Sequence, residues 1–129
     1  MASYKCFEEL PIWQESRLLS KVIYELLDKE RFRRDFHLRN QMSRSCGSIQ
    51  DNIAEGFDRG TTRTFIYFLS ISRGSCSELK SQLYRALDRS HITADEFEAA
   101  YLQATKISKM VTGFITYLRI YKSEGNTSK

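Results

Sequence analysis

The stretch TFIYFLSIS, residues 64–72, decides the fold. By local composition it is a strand, because aromatic and β-branched side chains suit a pleated surface. It opens, however, a longer pattern in which Phe65, Phe68, Leu69, Ser72, Cys76, Leu79, Leu83 and Leu87 share one face at three- and four-residue steps. The pattern begins after Thr61 and Thr62 and runs to about Arg89. A buried strand ends after about 4–8 residues, so a period sustained over roughly 25 is a helix.

Three further segments carry the same period. Pro11 suits a first helical turn, and Ile12, Leu19, Val22, Ile23, Leu26 and Leu27 follow it, which predicts a helix over about residues 11–30. Asp35 is a good N-cap for a second helix, about 35–56, that turns Leu38, Met42, Cys46, Ile49 and Ile53 inward and stops at Gly56. The third helix spans about 62–89. Thr93 and Glu96 form a T-x-x-E capping box that opens a fourth, about 94–121, with Phe97, Tyr101, Ala104, Ile107, Val111, Phe114, Ile115 and Leu118 inward. Residues 1–10 are an N-terminal arm, 11–122 the bundle and 123–129 a disordered tail. Amphipathic helices joined by short connections predict an all-α, antiparallel up-down-up-down four-helix bundle.

Composition fits one globular domain: 129 residues, 41% hydrophobic and 28% charged. No apolar run approaches the roughly 18 to 20 residues needed to span a bilayer, and no basic segment precedes an apolar one at the N-terminus. A cytoplasmic protein without membrane contact is expected. Cys6, Cys46 and Cys76 are odd in number and lack C-x-x-C spacing, which fits reduced thiols. His37 and His91 stand at predicted helix starts, with no metal-ligand spacing near them and no serine elbow to serve. Neither a metal, a cofactor nor a catalytic residue is expected.

The formal net charge of +4 is concentrated. Between Arg31 and Arg73 there are eight basic residues and four acids, so this segment holds the whole excess, chiefly as arginine. Helix two carries a polar stripe of Gln41, Arg44, Ser48, Asn52 and Glu55. In a hairpin closing through 57–62, facing residues have numbers summing to about 119 by helical geometry, which brings Glu55 to Arg63 and Arg44 to Ser75 and Glu78. Glu55 precedes an apparent helix terminator, where the dipole disfavours a carboxylate. We read it as a structural pin to Arg59 or Arg63, ahead of a catalytic acid or a phosphate cradle.

On helix three, Arg73 and Lys80 are seven residues apart and nearly superimposed in projection. Taken singly, each cation is a solvated helix face; their clustering points to a polyanion. Arg44, Arg63, Arg73 and Lys80 are the first candidate contacts to nucleic acid, with Arg39 and Arg59 behind them. The same helix carries apolar surface beyond one core stripe, with Ile66 and Tyr84 about 110° to one side and Ile71 about 110° to the other, Tyr67 beyond it. These four are the candidate subunit interface.

The segments LPIWQES, NQMSRSCGSIQDNIAEGFDRG and FIYFLSISRGSCSELKSQL resemble the bacterial four-helix-bundle proteins encoded by intervening sequences in 23S rRNA genes. The accessory variability determinant of diversity-generating retroelements is similar to these. The resemblance covers about residues 10–121 and is most specific at Asn52 to Gly56 and Phe68 to Leu79. It implies a homopentameric, ring-like assembly with a basic surface and no enzymatic activity. For the retroelement relatives it implies RNA or DNA binding and association with a reverse transcriptase. Two positions depart from the pattern: Gln50 stands where a proline is common, and Tyr67 where a basic residue is common. Alternatively, the chain is a protein–protein scaffold that does not touch nucleic acid.

Overall fold

The computed structural model describes residues 4–128, with side chains described as far as Tyr121. A 3-10 turn, Phe7–Glu9, leads into α1 (Pro11–Leu27), α2 (Phe36–Asp58), α3 (Thr62–Asp88) and α4 (Ala94–Ser128). The segment 64–72 is helical throughout, so sustained period wins over local strand propensity. Each helix packs closely on its two neighbours, α1 on α2 and α4, α3 on α2 and α4. The fold is an all-α four-helix bundle, with α2 and α3 sharing the most extensive contact.

Local chemistry sets the helix starts. Pro11 occupies the first turn of α1, where a missing N–H costs nothing. The Asp35 carboxylate accepts from Leu38 N at 3.3 Å, and Thr61 Oγ1 accepts from Thr64 N at 3.2 Å. The capping box is reciprocal: Glu96 N donates to Thr93 Oγ1 at 3.1 Å and Thr93 N to Glu96 Oε1 at 2.8 Å.

The ends differ from the sequence reading. α1 stops at Leu27, where Arg39 Nε takes the terminal carbonyl at 3.2 Å, and residues 28–35 fold into tight turns around the fully buried Phe32. α2 does not stop at Gly56 but runs to Asp58, and the left-handed residue that ends it is Gly60, φ 84°. α3 ends in a Schellman arrangement, with His91 N donating to Ala86 O at 3.0 Å and Ser90 at φ 60°. The α4 backbone stays helical to Ser128, past the boundary near 121 and through most of the 123–129 segment read as a tail. No proline interrupts it.

The core is one continuous cluster of aliphatic side chains with Phe32, Phe65, Cys46 and Cys76. Burial pushes the Cys46 thiol up to about 12, with Cys76 adding to the shift, and pushes Cys76 up to about 11 against the pull of Lys80. Both sulfurs therefore behave as small apolar groups.

The two poles are built differently. At one, where α1 and α3 end and α2 and α4 begin, Asp35 accepts from Arg89 at 2.7 Å and from His91 Nε2 at 2.9 Å, while Glu96 pairs with Lys29 at 2.7 Å and Arg31 at 3.5 Å. Burial raises the Asp35 pKa, but the hydrogen bonds from His91, Arg89 and Leu38 N outweigh it and bring the pKa down to about 2. The Lys29 and Thr93 hydrogen bonds likewise hold Glu96 below its ordinary range. At the opposite pole Phe57, Phe65, Phe114 and Tyr117 form a chain of ring contacts with centroids 5.5 to 5.9 Å apart.

Candidate nucleic-acid interface

Steps of seven, seven and four place Ile66, Arg73, Lys80 and Tyr84 along one side of α3. The contacts made by the polar and aromatic members go to α4. Arg73 donates to Thr112 Oγ1 at 3.2 Å, and Lys80 Nζ lies 4.7 Å from the Tyr101 ring centroid. Tyr84 stacks on Phe97 at 4.7 Å and meets Tyr101 at 5.6 Å. The two predicted sets, interface and cation, therefore overlap on a single α3–α4 face.

That face keeps binding capacity. The Lys80 contact with Tyr101 uses the ring's negative face and spends no conventional N–H···O or N–H···N hydrogen bond of the ammonium, and Arg73 spends one of its five N–H donors. Tyr84 is 49% exposed, so part of its ring area is open to a stacking partner. Phe97 and Tyr101 complete the aromatic cluster. Both pack against the core, as the sequence reading expected, and are only partly buried; their second role, opposite Tyr84, becomes visible once α3 and α4 are in register.

The remaining cations lie elsewhere. Arg44 is exposed on α2 beside α3, on the other side of α3 from Lys80, and forms no ion pair with Glu78. Arg63 is exposed at the start of α3. Arg39 is held by the Leu27 carbonyl, and Arg59 by Glu55 at 2.6 Å and the Phe68 ring at 5.4 Å. The six predicted cations do not converge; Arg73 and Lys80 do. Of the predicted interface residues, Ile66 is packed against the core, Ile71 is on the α2 side at 37% exposure, and Tyr67 is 63% exposed.

The pin reading of Glu55 needs correction. Its partner Arg59 is the C-cap of α2 itself, so the pair is an i,i+4 contact within one element and does not tie α2 to α3. Arg59 reaches the Glu55 carboxylate because α2 continues beyond Gly56. Gly56 is buried against α3, and a Cβ there would fall 2.7 Å from Phe68 Cβ. Asn52 also acts within α2, donating to Ser48 O at 2.8 Å and Ser48 Oγ at 3.0 Å. Facing pairs across the hairpin, such as Ser48 with Ser75 and Gln41 with Arg85, have numbers summing to 123 and 126, above the expected 119. α2 is one uninterrupted helix through Gln50, which accepts from Ser20 at 3.1 Å.

The profile of the family described as 23S rRNA-intervening sequence protein matches residues 8–113. The chain belongs to that family. Among solved structures it is similar to a protein of unknown function from the S23 ribosomal protein family of Bacteroides thetaiotaomicron, with 25% identity and a TM-score of 0.74. The alignment covers 81% of this chain and 97% of the Bacteroides protein. A comparison with curated proteins yields no match. Neither the family's description nor that of the Bacteroides protein names a reaction. Among the described residues no helix is long and apolar enough to cross a membrane, and no group of three or more His, Cys, Asp or Glu is arranged to hold a metal.

Proposed function

We propose that this intervening-sequence protein is a non-enzymatic, cytoplasmic homo-oligomer that binds RNA or DNA, without strong sequence preference, through the α3–α4 face. The observation that carries the reading is the alignment of Arg73 and Lys80 on one side of α3, beside the half-exposed Tyr84 ring. Cations follow a phosphate backbone while an aromatic platform accepts any base, a combination that binds single strands with little sequence discrimination. The family resemblance supplies the pentameric number. Five copies would carry a formal charge of +20, and repetition around a ring would turn one weak pair of cations into a band.

A second reading rests on exposed apolar side chains away from that face: Phe36 is 67% exposed, Tyr67 63% and Leu102 58%. Such surface suits a protein partner, and the chain would then be a scaffold or accessory subunit, for example of a reverse transcriptase, without touching nucleic acid. Titration of labelled RNA and DNA across a salt series separates the two. The first reading requires binding at low salt that weakens as salt rises, together with a pentameric mass by light scattering. Absence of binding at low salt removes it in favour of the scaffold, and a monomeric mass removes the ring.

A further inference from the structure

Between α2 and α3, on the opposite side of α3 from the basic face, lies an open polar cleft of about 390 Å³. A seam between bundle helices is normally closed by apolar side chains. Here the floor is a serine pair, Ser75 Oγ donating to Ser48 Oγ at 2.7 Å, and Arg85 closes one end by donating to Gln41 Oε1 at 2.8 Å. Gln82 lines the cleft at 8% exposure, and its Oε1 atom is buried without a hydrogen-bond partner. A buried acceptor left unpaired is costly, and rotation of the Gln82 amide into a cleft of this size would let a small molecule satisfy it.

The two walls have opposite chemistry. On α2, Arg44 and Ser48 are one turn apart; Arg44 makes no ion pair, and Ser48 Oγ accepts from both Ser75 and Asn52, which leaves its own hydrogen to donate. On α3, Glu78 and Gln82 are also one turn apart and supply a carboxylate and an orphan carbonyl. A donor wall thus faces an acceptor wall, and the opposed charges do not meet within salt-bridge distance.

We propose that this cleft binds a small zwitterion of the α-amino-acid class, with its carboxylate on Arg44 and Ser48 and its ammonium on Glu78 and Gln82. An ammonium group brings three donors, enough for both the Glu78 carboxylate and the Gln82 carbonyl. A carboxylate accepts from the guanidinium and the serine hydroxyl together. The assignment is independent of nucleic-acid binding, since it uses neither Arg73 nor Lys80.

The test is an amide NMR titration of the full chain with each proteinogenic amino acid at millimolar concentration. At least one is expected to shift the Ser45, Ser48 and Ser75 amides saturably. Its carboxamide and its des-amino acid, each lacking one charged end, should bind at least about tenfold more weakly, as should the native ligand to Arg44→Gln and Glu78→Gln. Gln82→Leu should lose affinity while keeping or raising the melting temperature, because it removes an unpaired acceptor. Three results overturn the proposal: no amino acid perturbs the cleft, the one-ended analogues bind as tightly, or the exposed-site variants, folded by circular dichroism, bind unchanged. Silence here combined with salt-sensitive RNA binding would sink the cleft and leave the basic face standing.

Discussion

A Cβ on Gly56 of α2 would stand 2.7 Å from Phe68 Cβ and 3.0 Å from Phe65 Cδ1 on α3. The absence of a side chain at this one point lets the two helices approach. Gly56→Ala should therefore destabilise the bundle by about 1–3 kcal/mol, the usual cost of overpacking. Gly74→Ala, with nothing within 4 Å of the new methyl, should stabilise α3 by about 0.5–1 kcal/mol through helix propensity. Urea denaturation of both variants checks the contrast; equal and opposite behaviour from that stated would mean that the approach is not tight.

Acid should loosen the Asp35 cluster in a defined window. The folded pKa of about 2 lies below the ordinary 3.8, so the carboxylate's contribution is complete above about pH 4 and is lost as pH falls toward 2. The difference corresponds to about 2 kcal/mol. Asp35→Asn keeps an N-cap yet removes the charge, so wild type and variant should differ by about that amount at neutral pH and converge near pH 2. Denaturant midpoints measured from pH 7 downward give the answer, and a gap that stays constant with pH would refute the linkage.

Ser90 ends α3 with φ 60°, a conformation that costs a residue with a Cβ about 1 kcal/mol. Ser90→Gly should accordingly raise stability by about 0.5–1 kcal/mol, visible as a higher melting temperature. An unchanged or lower melting temperature would mean that the serine side chain contributes more than its strain costs.

Glu55 and Arg59 are 51% and 55% exposed and one turn apart. Such a pair contributes about 0.2–0.5 kcal/mol, so Glu55→Ala should be nearly silent in the same denaturation assay. A loss above about 2 kcal/mol would require the carboxylate to hold something else, as a buried pair would.

On the proposed nucleic-acid face, Arg73→Ala and Lys80→Ala should each weaken binding uniformly across sequences and reduce the salt slope by about one. Arg44→Ala, on the other side of α3, should leave the slope unchanged. Tyr84→Leu should lower affinity for single strands with little change in slope. Filter binding at several salt concentrations measures all four, and an Arg44 effect equal to that of Lys80 would mean that the contact surface is not confined to the α3–α4 side.

The four helices were legible because their signals are local: Pro11, the apolar periods and the Thr93–Glu96 capping box each act over a few residues. The end of α2 was not, since a glycine reads as a terminator wherever it stands, and only the nearness of Phe68 reveals Gly56 as a packing residue. Asp35 was legible as an N-cap, but its partners Arg89 and His91 are 54 and 56 residues away and carry no local mark. For the same reason Arg73 and Lys80 could be grouped from their spacing along α3, whereas Phe97 and Tyr101 on α4, rightly placed against the core, carried no mark of their contacts with Tyr84 and Lys80. Side chains that meet across a seam become visible together only when the register is known.

The unlike poles make the bundle a clasp whose two catches answer to different conditions. Protons release the Asp35 catch, whereas cooling weakens the Phe57, Phe65 and Phe114 catch, because apolar contacts lose strength at low temperature. Fraying should therefore start from opposite tips in acid and in the cold, leaving the middle of the α2–α3 pair as the last part to let go.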